Sequence, residues 1–306
     1  MDRKDHIDAF GASSLIAFAL LLAFNQVVIK VVNEGLQPAF FAGLRSLGAA
    51  IVVWGWIRLR GRRLSVPPGT APWGILIGVI FAIEFITLFL ALDLTTVTRT
   101  SVIFYSMPVW LTLAAHVLIP SERIHAAKAL GLALAFAGVA WAIIDRDAGA
   151  AGQASLTGDI AALVAAFAWA AVALIVRVSP LNRVRPEMQN FWQLAASAPV
   201  LLGAAMFFGP LIRDLQPIHL WGLAFQIVVV AGAGFLFWIW LLSIYPASSV
   251  ASFSFLSPIF GILLGWLLLG EHAGVSIFAA GALVAAGILL INRPKPADVQ
   301  VPQKVR

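Results

Sequence analysis

The chain has 306 residues, 61% of them hydrophobic and 11% charged, with a mean hydropathy of +0.96 and a formal net charge of +6. Soluble domains carry about 25% charged residues, so this composition excludes a soluble globular protein and calls for an integral membrane protein. There is no cysteine, which excludes disulfides and thiolate chemistry, and the basic surplus is spread over short loops and termini, where it orients helices instead of marking a nucleic-acid partner.

A bilayer core roughly 30 Å thick takes about 20 apolar residues of helix. Residues 1–12 form a short charged lead with no cleavage site behind it, so the first span, 13–32, reads as a retained helix. Nine further spans follow at 38–57, 71–91, 95–118, 124–144, 158–177, 187–208, 217–241, 246–269 and 273–291, before a polar tail at 292–306. The longest connection, 145–157 (DRDAGAAGQASLT), is polar and falls at the middle of the chain, as a linker between two five-helix halves (13–144 and 158–291) would. With the N-terminus cytosolic, fifteen Lys and Arg fall in inner segments, including the cluster Arg58, Arg60, Arg62 and Arg63. Four fall outside (Lys30, Arg99, Arg146 and Arg213), and Arg45 lies within a span. That bias predicts both termini inside. Because five is odd, it also predicts halves inserted in opposite senses, an inverted repeat.

The repeat is visible in the residues. The stretches 91–131 and 241–281 superpose at a shift of 150, with Leu92 on Leu242, Pro108 on Pro258 and Gly131 on Gly281. Glu122 falls on Glu271 after a one-residue gap, and Pro38 and Pro186 each stand at a helix start, 148 apart. Each copy has a polar turn, a span broken by a mid-span proline, a glutamate and a span rich in small residues.

Together with the runs LLAFNQVVIK (21–30), AWAAVALIVR (168–177) and FFAGLRSLGAA (40–50), these segments resemble the drug/metabolite transporter superfamily and, within it, the ten-helix EamA-type exporters. The likeness covers about residues 12–292. It implies an all-α fold of ten transmembrane helices in two inverted repeats, in the inner (plasma) membrane of a bacterium. It also implies export of a small solute, with amino acids, particularly aromatic or other apolar ones, as the best match. Export of another metabolite, drug or sugar-type solute by proton antiport is the alternative.

Several residues are candidates for the path. Glu84 lies near the middle of the third span, where a lone charge costs at least about 2.5–3.5 kcal/mol. It is either a contact for a substrate amine, a proton-coupling site, or a structural partner for Arg45 in the neighbouring span. Arg45 in turn either snorkels outward or holds a substrate carboxylate. Pro108 and Pro258 each remove a helical hydrogen bond, at the carbonyls of Phe104 and Ser254, and read as hinges beside a cavity or as static kinks. Tyr105 needs a partner for its hydroxyl at membrane depth, whereas Tyr245, in a predicted inner turn, reads as an interface anchor. Asn25, Gln26, Gln193 and Gln226 either join helices or orient a small zwitterion in an apolar pocket. Trp169, which is deep, and Trp238, in the later part of its span, either wall such a pocket or face lipid. Glu122 and Glu271 read as caps of the fifth and tenth helices they begin. The small-residue runs 131–138 and 279–287 permit close helix contact, between halves or between protomers; oligomeric state is not legible.

Other classes fit poorly. His116 is the one histidine inside a span, near its end, and no metal cluster, triad or Walker motif is present, so neither an intramembrane enzyme nor an ATP-driven pump is expected and no cofactor is called for. No repeated filter or ring of charge suggests a channel.

Overall fold

A computed structural model describes residues 7–64, 66–119, 124–145, 155–245, 250, 253–272 and 274–292. Glu122, Arg146 and most of the predicted linker lie outside the described residues.

The described residues are helical, with one isolated bridge, Leu36 to Ile212. The first half holds α1 (Ala9–Gly35), α2 (Pro38–Leu59), α3 (Ala71–Leu94), α4 (Val97–Phe104), α5 (Met107–Leu118) and α6 (Ala126–Ile144). The second holds α7 (Leu156–Val178), α8 (Pro186–Ala205), α9 (Pro217–Phe225), α10 (Phe235–Ile244), α11 (Leu256–Leu269) and α12 (Val275–Ile291). Seven spans are long and apolar enough to cross a membrane, counting α4 with α5 and α9 with α10 as one each; 253–269 and 275–291 are shorter apolar helices. Helix α8 carries Gln189, Asn190 and Gln193 and is not among the seven. Proline opens α2, α8 and α9, where its missing N–H costs nothing.

The halves pack in matched pairs. Helix α6 lies along α12, and α2 along α8; α1 packs on α11 as α7 packs on α4 and α5. Glycine sets the closest of these approaches. A Cβ on Gly131 would stand 2.8 Å from the Gly287 carbonyl oxygen, and one on Gly138 would stand 2.6 Å from that of Ala280. The small-residue runs therefore join the two halves of one chain. Gly287→Val should destabilise the fold by about 1–3 kcal/mol, the range for overpacking a filled core. A thermal melt of the detergent-solubilised protein measures it.

Two spans are broken. The fourth stops at Phe104, turns through Tyr105 and Ser106, and resumes at Met107. Pro108 is thus the second residue of a new helix, not an interruption within one, and the break precedes it. The hydroxyl of Ser106 bonds the Ile103 carbonyl and accepts from Trp110 Nε1, which stabilises the turn. Pro258 is likewise third in α11, after a 3-10 turn at Phe253–Phe255. The eighth span contains a π-helical stretch, Gln226–Gly234, between α9 and α10. No residue pattern announced it.

Candidate functional site

Arg45 projects from the third turn of α2 and Glu84 from the middle of α3, and both are buried, at 6% and 3% exposure. They do not close on each other. Arg45 Nη1 and Glu84 Oε2 are both without a hydrogen-bond partner. The guanidinium instead lies over the ring of Phe85, 4.3 Å from its centroid, and donates from Nε to Gln226 Oε1 at 2.9 Å. Gln226 passes the contact on, its amide donating to the side chain and carbonyl of Asn25 on α1. A buried charge is ordinarily paired and hydrogen-bonded. A guanidinium and a carboxyl group left half-satisfied in one core can engage a third group.

A second polar group borders the first. Gln26, on α1, accepts from Ser101 on α4 at 2.6 Å and has its own Nε2 unpartnered. The hydroxyl of Tyr105 lies beside Gln26 and Ser257. Ser101 reaches this place because Gly261 of α11 has no side chain to oppose it. Aromatic rings close the remainder: Phe81, Phe85 and Phe89 run along α3, with centroids 4.4 and 5.4 Å apart, and Trp169 packs against the same core. Arg45, Glu84, Gln26, Tyr105 and Gln226 are each no more than 6% exposed, so the cluster is occluded. A shallow surface hollow near Gln37, Ile86, Leu90 and Arg213 does not include it.

Of the residues expected from sequence, Asn25, Gln26, Arg45, Glu84, Tyr105 and Gln226 meet here. Gln193 does not join them by a hydrogen bond; it is half-buried beside Trp192, whose indole covers Gly74 of α3. Trp238 stacks on Phe18, centroids 4.9 Å apart, in a different core cluster with Leu15 and Tyr245. It stands twelve residues past Gln226, more than two turns further along the same span. Tyr245, at the end of α10, is 1% exposed, its hydroxyl donating to Asp8 Oδ1 at 2.7 Å at the start of α1.

Glu271 corrects another expectation. It does not cap its own helix, which starts at Val275. Gly270, at φ 61°, ends α11 and turns the chain inward; Glu271 then accepts from the N–H groups of Val97 and Thr98 and from the Thr98 hydroxyl at 2.7–2.8 Å, capping α4 in the other half. Beside it stands a pair that the sequence reading overlooked. Arg99 donates from Nε and Nη2 to Asp159 of α7 at 3.1 and 2.5 Å, and from Nη1 to the Asp145 carbonyl. Both side chains are at most 2% exposed. Residue 99 falls in the predicted span 95–118 and residue 159 in 158–177, at the same predicted face, and that common depth was the available signal. Among the described residues no group of His, Cys, Asp and Glu is placed to hold a metal.

Comparison with known proteins agrees with this architecture. Residues 9–144 and again 156–293 match the EamA-like transporter family. An uncharacterized transporter of Bacillus subtilis, YoaV, is 23% identical over 278 residues, covering 90% of this chain and 94% of the relative. A protein of Escherichia coli K12 named "Probable amino-acid metabolite efflux pump" is 27% identical over 301 residues, covering 95% of each. One solved crystal structure shares the fold at a TM-score of 0.66 and 20% identity, over 92% of this chain and 97% of that one. Two helical halves, broken spans and an occluded polar cluster between them accompany a family match to each half: the chain belongs to the EamA-like transporter family, and is a membrane transporter of small molecules, not an enzyme.

Proposed function

We propose that the protein is a secondary carrier exporting amino acids, chiefly those with neutral or aromatic side chains, across a bacterial inner membrane by alternating access. One observation carries the reading: a buried guanidinium and a buried carboxyl group, each with an unpartnered atom, flanked by phenylalanines. A zwitterion supplies the complement of both, its carboxylate to Arg45 and its ammonium to Glu84, and its side chain packs on Phe81 and Phe85 (and, from the other half, Trp169). Charged hydrogen bonds of this kind contribute roughly 1.5–3 kcal/mol each. The efflux-pump name of the E. coli relative points the same way. Ten spans with both termini inside follow from the loop charges, and the two halves rock about the cluster.

Glu84 also supports a second reading, proton antiport of a different small solute, because its unpartnered oxygen is free to take a proton. Uptake into liposomes of labelled phenylalanine, threonine, lysine and a nucleotide sugar, with and without a pH gradient, separates the two. Saturable uptake of the neutral amino acids is expected. Movement of the nucleotide sugar alone, driven by the gradient, would transfer the proposal to the second reading. The break at Tyr105–Ser106 serves as a hinge, so Pro108→Ala, which permits α4 and α5 to merge, should lower turnover severalfold while substrate Kd stays within about twofold. Unchanged turnover would reduce the proline to a packing feature.

A further inference from the structure

Gln226 and Asn25 are the residues here whose role changes between sequence and structure. As polar groups at depth they qualify as substrate contacts; in place, their hydrogen-bonding groups are directed at Arg45 and at each other. Gln226 is fully buried. Its carbonyl oxygen accepts from Arg45 Nε, and its amide donates to Asn25. Neither of its polar atoms is unpartnered, whereas Arg45 Nη1 is. A guanidinium is a planar fork with donors on distinct edges. Engaging it through Nε fixes its plane on Phe85 and leaves an Nη edge for an incoming oxyanion.

The backbone around Gln226 is shaped for this reach. Helix α9 comes close to α1 because Gly222 has no Cβ to meet Val32 and Val28. One turn past Arg45, Gly48 of α2 opens the space that Ile227 fills, and Gly232 faces Val52. The segment is thus seated between α1 and α2, and the π-helical stretch begins at Gln226 itself. Wide turns of this kind re-aim side chains and recur at functional sites.

Resting on the amino-acid reading above, we propose that Gln226, braced by Asn25, is a positioning residue. It holds Arg45 so that its free guanidinium edge selects substrates with a carboxylate. Gln226 does not itself touch substrate; it acts through Arg45.

The test compares binding of L-phenylalanine with that of L-phenylalaninamide, which keeps the ammonium and ring but lacks the carboxylate. In wild type the acid binds more tightly than the amide. In Gln226→Leu, which keeps side-chain volume and removes the acceptor, phenylalanine affinity falls roughly tenfold while the amide's is unchanged. The preference for the acid thus depends on the acceptor at position 226. Arg45→Lys loses it, and the double variant Arg45→Lys/Gln226→Leu is no worse than Arg45→Lys alone. A preference that survives Gln226→Leu but not Arg45→Lys would overturn the positioning role, as would an equal loss for acid and amide. A second readout needs no substrate. In protein labelled with ¹⁵N-arginine, the Arg45 Nε–H exchanges slowly with solvent in wild type and at least tenfold faster in Gln226→Leu; equal rates would overturn the proposal. If wild type binds neither compound, the amino-acid reading falls, and the exchange rates decide on Gln226 alone.

Discussion

Asp159→Ala should destabilise the folded protein by about 3–5 kcal/mol, the cost of leaving a buried guanidinium without its counter-charge. Arg99 would keep the Asp145 carbonyl and lose both bonds to Asp159. The Thr95 hydroxyl, 3.3 Å from Asp159 Oδ1, would lose its acceptor too. In a thermal melt the loss reads as a fall of roughly 10 °C or more. Asp159→Asn, which retains an acceptor, falls by less. Replacing both members by apolar residues of similar size, Arg99→Met with Asp159→Leu, should recover most of the stability, because neither desolvation cost then remains. If the single and double variants melt alike, the pair is not what holds α4 to α7.

Glu84→Gln should have the opposite profile. Its Oε2 makes no hydrogen bond that the amide would forfeit, so the melting temperature should move by no more than about 4 °C. Transport should suffer more. With the anion gone, an ammonium loses a charged contact of roughly 1.5–3 kcal/mol, and kcat/KM for phenylalanine falls roughly 10- to 100-fold. Saturable transport at wild-type rate by the purified variant would remove Glu84 from the site. A large loss of stability with normal transport per folded molecule would make it a packing group.

The contrast between these two carboxylates explains what was legible in the sequence. A lone glutamate at the centre of an apolar span is expensive wherever its neighbours lie, so Glu84 stands out without a structure, as does Arg45. Asp159 and Arg99 sit within a turn or so of span ends, where loop charge is ordinary, and their pairing depends on α4 meeting α7 across the two halves. Glu271 resembles a local cap in the sequence because capping is usually local; its partners are more than 170 residues away in the sequence. The prolines announced a break in the fourth and ninth spans but not its place, since a proline tolerates the first turn of a helix as readily as it disrupts the middle. Gln226 was legible as polar, but its aim was not. The π-helical register arises where the segment packs against Gly48, Gly222 and Gly232, and spacing along one chain does not encode that. Trp238 shows the converse: a place in a span sets a side chain's level along the membrane normal without saying which neighbour it faces.

Sequence and structure also agree on which charges share a face. Lys30, Asp93, Arg99, Asp159, Arg213 and Glu271, all at the predicted outer ends, form one network of capping and paired groups; Lys30 caps α3 through the carbonyls of Leu92 and Thr95, and Arg213 pairs with Asp93. Asp8 with Tyr245, and Arg62 with Glu187, gather at the other end. The cluster of Arg45, Glu84 and Gln226 lies between these layers, closed to both in this conformation.

The most direct test of that cluster as a zwitterion site is calorimetric titration of the purified protein with three ligands sharing one ring: phenylalanine, phenethylamine and 3-phenylpropionate. Phenethylamine has only the cation that Glu84 would take, and phenylpropionate only the anion that Arg45 would take. Binding of phenylalanine at least tenfold tighter than either, lost in a protein carrying both Arg45→Met and Glu84→Gln, is the predicted result. Phenylalanine binding that equals that of the one-charge ligands, or that persists in the double variant, would contradict it.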